Sequence, residues 1–133
     1  MIFLDTNVLL DVVTDDATWR PWSEQQLEAA ALRDRLGICP VVYAELSPAF
    51  ATIESLDEML AIAGIALVPM PRPALFLAGR VFLEYRRRGG SRTGVLADFF
   101  VGAQAAVERA PLITRDATRY RTYFPTVELI VPE

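Results

Sequence analysis

The fold is decided by the stretch FLDTNVLLD, residues 3–11, close to the start of the chain. Residues 2–4 form a short apolar run typical of a buried strand, and from Asn7 to Val13 the pattern becomes helical. Asp5 lies at this change. In a parallel α/β sheet the carboxyl ends of the strands border one crevice, where ligands bind. Asp5 is therefore a candidate functional residue, although acids at helix starts are also common as caps.

Short apolar strands and helical patterns alternate along the rest of the sequence. Further strands are predicted at residues 37–39, 65–68, 112–114 and 127–131, and further helices at 23–36, 40–46, 55–63, 74–87, 96–108 and 117–123. This alternation indicates βαβ units and a parallel sheet. We therefore expect one domain over residues 1–133, an α/β fold built as a three-layer α/β/α sandwich with a short central parallel sheet.

Local signals define several of the predicted helix ends. Ser23 and Gln26 have the spacing of a capping box, Pro40 suits the first position of a helix, and Gly64 suits a C-terminal stop. The Gly-rich segment 86–94 is expected to form a flexible basic loop.

Composition restricts the chemistry that the chain can perform. The 133 residues carry a formal charge of −4, and all 13 basic residues are arginine, with no lysine and no histidine. This excludes a histidine base or ligand and a Schiff-base or phosphate-binding lysine. The single cysteine, Cys39, lies in an apolar run and is expected to be a small buried hydrophobe. No signal peptide or membrane-spanning segment is visible, so a cytoplasmic location is expected.

Three more acids have contexts like that of Asp5. Glu45 follows a predicted strand in an apolar stretch, Asp98 lies in the apolar segment 95–105, and Asp116 follows the strand ending at Thr114. Two of them also have a structural alternative: Glu45 as a solvated glutamate, and Asp98 as an acid paired with an arginine such as Arg92 or Arg115. Thr114 and Asp116, two apart on an extended segment, are expected to point the same way.

Several carboxylates that meet at one crevice repel one another unless a cation is present. Oxygen ligands without His or Cys favour Mg²⁺ or Mn²⁺ over zinc or copper. A metal held by carboxylates is the usual apparatus for phosphodiester hydrolysis, because it lowers the pKa of bound water and neutralises charge on phosphorus. The acids therefore predict a divalent-metal site.

The sequence resembles the PIN-domain family of metal-dependent ribonucleases and, within it, the VapC-like toxins of bacterial toxin–antitoxin pairs. Four strings carry the resemblance across essentially the whole chain: residues 3–11, 42–46, 96–105 and 112–116.

In that family, the residues that match Asp5, Glu45, Asp98 and Asp116 form the catalytic acidic pocket that binds Mg²⁺ or Mn²⁺. Those that match Thr6, Asn7 and Thr114 support it through hydrogen bonds. The resemblance implies a homodimeric endoribonuclease whose cognate VapB-like antitoxin blocks the pocket.

The basic and apolar surfaces suggest where partners bind. Arg86, Arg87, Arg88 and Arg92 are candidate contacts to an RNA backbone, because arginine binds phosphate bidentately, with a solvated helix end as the alternative. Apolar helical positions are expected either in the core or at dimer and antitoxin contacts: Leu56, Met59, Leu60, Phe76 and Phe82. Trp19 and Trp22 are expected to pack in the core or at an interface.

Three other classes of protein are alternatives to the nuclease. Haloacid-dehalogenase phosphatases need a second aspartate two residues after the first, where this chain has Asn7, and a lysine. Response-regulator receivers also need a lysine. Both fit poorly, whereas a catalytically inactive PIN-like binding or dimerisation module remains an alternative.

Overall fold

A computed structural model describes residues 1–133 and contains five strands and seven helices. The strands are β1 (Ile2–Leu4), β2 (Leu36–Ile38), β3 (Ile65–Leu67), β4 (Leu112–Ile113) and β5 (Leu129–Ile130). The helices are α1 (Thr6–Val13), α2 (Arg20–Arg33), α3 (Pro40–Leu46), α4 (Ile53–Ala63), α5 (Arg72–Arg87), α6 (Val95–Val107) and α7 (Thr118–Tyr123). The strands form one parallel sheet, which confirms the predicted α/β/α fold.

The strand order β3-β2-β1-β4-β5 places a topological switch point between β1 and β4. The chain first moves outward from β1 to β3 and then returns to the other side of β1. Leu4 is paired with Ile113, and the Asp5 amide donates to the Ile113 carbonyl at 2.9 Å. The residues that follow β1 and β4 therefore share the crevice at which parallel sheets bind ligands.

The strands are short apolar runs because the central ones are buried. Leu4, Leu112 and Ile113 are 0% exposed, as expected for strands covered on both faces. Helix α6 is also buried on most sides. A Cβ built on its Gly102 would lie 2.4 Å from the Phe124 ring, so only glycine fits this close approach without a shift. The position of α6 against the sheet is thus set by tight packing.

The predicted start of α2 is wrong. The helix begins at Arg20, with no side-chain hydrogen bond at its N-cap, and Pro21 occupies the first turn. Ser23 does not cap it: the side chain is fully buried and its hydroxyl donates to Asp11 Oδ2 at 2.6 Å. The helix also ends at Arg33, because Leu36 joins β2.

Other local predictions are confirmed. Helix α3 begins at Pro40, and α4 is followed by Gly64 in the left-handed conformation with φ of 69°. The basic loop is shorter than predicted, since Arg86 and Arg87 belong to the last turn of α5. Cys39 is buried, and this burial raises the pKa of its thiol to about 11. None of the seven helices is both long and apolar enough to cross a bilayer.

Candidate active site

Asp5 is both a helix cap and a buried acid. It is the N-cap of α1, and its Oδ1 accepts from the Thr6 backbone amide at 2.8 Å. Its Oδ2 accepts from the Thr114 hydroxyl at 2.8 Å and from the Tyr120 hydroxyl at 3.0 Å. The residue is only 6% exposed. Asp5 therefore caps α1, as the alternative interpretation of the sequence allowed, and it also lies at the crevice between β1 and β4.

Asp5 is held without a cation to balance its charge. Burial, with a smaller contribution from the negative charge of Asp98, raises the pKa of its carboxyl to about 6, against the hydrogen bonds from Thr114, Tyr120 and Thr6. A deprotonated Asp5 is thus an incompletely compensated charge in a buried position. A cation bound beside it would remove this cost.

Glu45 and Asp98 extend the acidic site from Asp5. Glu45 lies in the last turn of α3, and its Oε1 accepts from the Thr6 hydroxyl at 2.7 Å. Asp98 is half-buried in the first turn of α6. Burial raises the pKa of Asp98, Arg119 opposes the shift, and the charges of Glu45 and Asp116 add to it. The four acids therefore lie close enough to influence one another electrostatically.

Asp116 and Thr114 have different environments, although both follow β4. Thr114 is fully buried and donates to Asp5, whereas Asp116 is exposed in the loop before α7. The Asp116 backbone amide donates to Thr114 Oγ1 at 3.1 Å. This bond fixes the main chain of the loop, while the Asp116 carboxylate faces solvent.

Thr6 and Asn7 are the first two residues of α1, which Asp5 caps. Thr6 supports Glu45. Asn7 Nδ2 lies 3.5 Å from Thr114 Oγ1, and its Oδ1 accepts from the Arg115 backbone amide at 3.3 Å. Both residues therefore connect the elements that carry the acids, and Asn7 ties α1 to the loop that holds Asp116.

The arginine partner that the sequence allowed for Asp98 is present, but it is neither Arg92 nor Arg115. The guanidinium partner of Asp98 is Arg119 of α7. Arg115 is bound instead to Asp11, through Nε at 2.7 Å and Nη2 at 2.9 Å, and Arg92 is exposed. Of the seven ion pairs in the structure, only Arg119–Asp98 involves one of the four acids.

Three residues that contribute to the site or adjoin it were missed from the sequence: Asp11, Arg119 and Tyr120. Asp11 is an acid within an apolar helical stretch, which is a signal of a buried partner. Tyr120 lies four residues after Asp116, and its hydroxyl reaches Asp5 only because α7 folds back over the site. The spacing alone gave no indication of that fold.

The donor set is composed entirely of oxygen, but it is not a closed cage. No three acidic side chains converge closely enough to bind one ion directly. Mg²⁺ usually takes one or two protein carboxylates and keeps several waters. The residues present therefore fit a hydrated hard cation and do not fit a fully protein-coordinated one.

The four candidate RNA-binding arginines are not gathered in one loop. Arg86 lies over the Phe82 ring at 5.6 Å, and Arg88 bonds Glu84 at 2.7 Å and lies over Tyr123. Arg86 and Arg87 end α5, Arg88 is its C-cap, and Arg92 lies farther along the loop, where it lines a concavity of about 500 Å³ formed by residues 91–95 and Arg119. Arg92 and Arg119, the arginine that contacts Asp98, therefore line the same concavity.

A family model for the PIN domain matches residues 2–125, and the chain therefore belongs to the PIN domain family. Solved structures with the same fold include chains of two complexes. One is VapBC2 from Rickettsia felis bound to a DNA fragment from their promoter (20% identity, 100% of each chain covered, TM-score 0.74). The other is a toxin–antitoxin complex from Klebsiella pneumoniae (19% identity, 100% of this chain and 98% of that chain covered, TM-score 0.71).

A chain of VapBC-1 from nontypeable Haemophilus influenzae is also similar, at 19% identity with 98% of each chain covered and a TM-score of 0.70. No significant match was found among curated proteins. The predicted PIN-like fold and the resemblance to the family of VapC-like toxins are thus confirmed at the level of family and fold.

Proposed function

We propose that this PIN domain is a metal-dependent endoribonuclease that hydrolyses RNA phosphodiester bonds and acts as the toxin of a toxin–antitoxin pair. The observation that carries the proposal is the buried Asp5 carboxylate, uncompensated at the switch point of the sheet and within electrostatic range of Asp98. PIN domains are generally nucleases. An acidic pocket of this kind has little use in a protein that does not bind a cation.

One or two of the carboxylates of Asp5, Asp98 and Asp116 would bind a hydrated Mg²⁺ or Mn²⁺ directly and the others through its waters, with Glu45 as a further ligand or as the group that orients the attacking water. When bound, the ion supplies Lewis-acid stabilisation of the charge that develops on the phosphate. Thr114 and Tyr120 both donate to Asp5 Oδ2, whereas Oδ1 accepts a single hydrogen bond. They thereby fix the orientation of the carboxylate before a ligand arrives.

The RNA backbone would be bound by arginine, because the chain has no lysine. Arg92 is the strongest of the predicted contacts, since it is exposed in the concavity beside the acids. Arg86 and Arg87 lie in the last turn of α5 and Arg88 is its C-cap, outside this concavity, and they would bind other phosphates of the RNA backbone.

An antitoxin related to VapB would bind in an apolar groove of about 550 Å³ between α1, α2 and α4. Val12, Leu27, Met59 and Ile62 line it, and Ile62 is 80% exposed. An amphipathic helix of the partner would cover these side chains. The similarity to chains of VapBC2 and of the Klebsiella pneumoniae toxin–antitoxin complex supports this choice of partner. Leu56 and Leu60, predicted as core or contact residues, belong to the core.

A homodimer would form through α5, on which Phe76 is 64% and Leu75 46% exposed. Phe82, by contrast, packs partly against the core. We further propose that residues 1–133 act as a single domain in the cytoplasm. Size-exclusion chromatography with light scattering of the wild type and of Phe76→Ser tests the dimer face.

The function is tested by incubating purified protein with total RNA in Mg²⁺ or Mn²⁺ and mapping the cleaved ends. We expect cleavage by the wild type and none by Asp5→Asn. Expression of the wild type alone should arrest growth, and a small protein encoded next to it should restore growth. Unimpaired growth despite soluble expression would count against the toxin role.

A catalytically inactive binding module is the second candidate. It is favoured by one observation, the guanidinium of Arg119 at Asp98, which neutralises one of the acids without a metal. This alternative predicts that the folded wild type neither cleaves RNA nor binds Mn²⁺ in a calorimetric titration.

A further inference from the structure

Arg119 is the one cation paired with the acidic pocket, and the proposed function does not use it. Its guanidinium contacts Asp98 Oδ2, and it makes no ion pair with another acid. The side chains of Arg119 and Asp98 are 23% and 33% exposed, so the pair lies at the mouth of the pocket and not in the core. An ion pair at such a position can open without unfolding the protein.

The Arg119 side chain borders a second site, away from Asp98. The same residue lines the concavity formed by Ser91, Arg92, Thr93, Gly94 and Val95. This concavity contains the guanidinium of Arg92 and two hydroxyl side chains but no acid. An arginine that leaves Asp98 would therefore face a surface suited to an anion.

From these contacts we propose that Arg119 competes with the divalent metal for Asp98 and, once displaced, contacts an RNA phosphate in the adjoining concavity. The inference rests on the proposed function. The guanidinium and the ion cannot both neutralise the same carboxylate oxygen at close range, because like charges in a partly buried site repel each other. Arg119 then keeps the metal-free pocket neutral at Asp98 and makes phosphate binding depend on the metal.

The chain offers a matched control for this proposal. Arg121 lies on the same helix, is exposed, and forms no ion pair in the structure. Arg119→Gln and Arg121→Gln therefore remove the same charge from the same six-residue helix, whereas Arg119→Lys keeps a cation at the position. Circular dichroism and thermal melts establish that each variant is folded.

The first measurement is calorimetric titration of Mn²⁺ into the metal-free variants without RNA. We expect Arg119→Gln to bind Mn²⁺ about fivefold more tightly than the wild type, since opening a partly exposed ion pair costs about 1 kcal/mol. Arg121→Gln and Arg119→Lys should bind within about twofold of the wild type. Equal or weaker binding by Arg119→Gln would overturn the proposal, because a purely structural ion pair predicts that result.

The titration also separates failure of the inference from failure of the proposed function. Mn²⁺ binding by the wild type with no gain in Arg119→Gln would reject the competition and leave the nuclease proposal standing. Absence of binding in every variant would reject both. Binding by Arg119→Gln alone would support the competition and would show that Arg119 blocks the site.

The second measurement tests the phosphate contact through steady-state kinetics on an RNA oligonucleotide at saturating Mn²⁺. Loss of one arginine–phosphate contact is expected to raise KM about fivefold in Arg119→Gln, with kcat changed less than about twofold. An unchanged KM would reject the phosphate contact.

Discussion

Two carboxylates on one helix, Asp5 and Asp11, are both almost completely buried, yet the protein treats them in opposite ways. Asp11 is 2% exposed and receives two bonds from the Arg115 guanidinium and one from the Ser23 hydroxyl. Asp5 is 6% exposed and receives only hydroxyl and amide donors, with no cation. The negative charge of Asp11 is therefore balanced by a guanidinium, whereas the negative charge of Asp5 has no cation to balance it.

Asp5 and Asp11 are bound by adjacent residues that follow β4: Thr114 donates to Asp5, and Arg115 donates to Asp11. Arg115 extends to Asp11 and also lies over the Trp19 ring at 5.0 Å, which joins the loop to α1 and α2. The next residue, Asp116, faces solvent beside Asp98. The Arg115–Asp11 ion pair thus anchors the loop segment that carries Asp116. The comparison shows that two almost fully buried carboxylates differ in their compensation: Asp11 has a guanidinium partner and Asp5 has none.

The largest effect is expected from Asp5→Asn, which removes the uncompensated charge. RNA cleavage in Mg²⁺ or Mn²⁺ should fall by at least about a hundredfold, since the metal-dependent step loses a central ligand. The measurement is the initial rate of cleavage of a labelled RNA, with circular dichroism to verify the fold. Activity within a few-fold of the wild type would show that Asp5 is only a cap.

Asp11→Asn makes the same chemical change at the compensated acid. It leaves Arg115 without its partner, and because Arg115 is partly exposed we expect a loss of about 2 kcal/mol in unfolding free energy and a fall of roughly 8 °C in Tm. Thermal melts measure this. A variant as stable as the wild type would mean that the ion pair contributes nothing to the fold.

The pH dependence of stability in metal-free buffer should report the titration of Asp5. The pKa of Asp5 is about 6 in the folded protein against an ordinary 3.8, so the unfolded state releases its proton first as pH rises. Stability from this group is present below about pH 4 and is lost as pH rises through about 6.

Asp5→Asn lacks this titration, so its Tm relative to that of the wild type should rise by on the order of 10 °C between pH 4 and pH 7. Melts of both proteins with a chelator present provide the comparison. A difference that is constant with pH would mean that Asp5 is not shifted.

The smallest effect is expected from Tyr120→Phe, which removes one of the two donors to Asp5 Oδ2. Loss of one hydrogen bond should cost about 1 kcal/mol and lower Mn²⁺ affinity about two- to threefold. Calorimetry and thermal melts provide both values. Tighter Mn²⁺ binding would show that Tyr120 holds Asp5 away from the metal rather than in place for it.

The strand–helix alternation was readable from the sequence because the central strands are buried on both faces and appear as short apolar runs. Gly64 and Pro40 marked their helix ends because each satisfies a local backbone requirement. The start of α2 was not readable in this way. Ser23 looked like a cap, but a long-range bond to Asp11 determines its position.

The candidate site shows the same division between local and tertiary information. Asp5, Asp98 and Asp116 were found because each follows an apolar segment near an element boundary. Their partners were not found, since Arg119 and Tyr120 reach the acids only through the packing of α7. Arg92 lies near Asp98 in sequence, and Arg115 directly precedes Asp116. Nearness in sequence does not reveal which way a side chain points once the helices have packed.

Calorimetric titration of Mn²⁺ into metal-free wild type, Asp5→Asn and Asp11→Asn is the most direct test of the claim that the uncompensated acid binds the cation. Each variant replaces one buried carboxylate on α1 by an amide. The wild type and Asp11→Asn are expected to bind Mn²⁺ with affinities within about twofold of each other, and Asp5→Asn should show no measurable binding. Equal binding by Asp5→Asn and the wild type would contradict the claim.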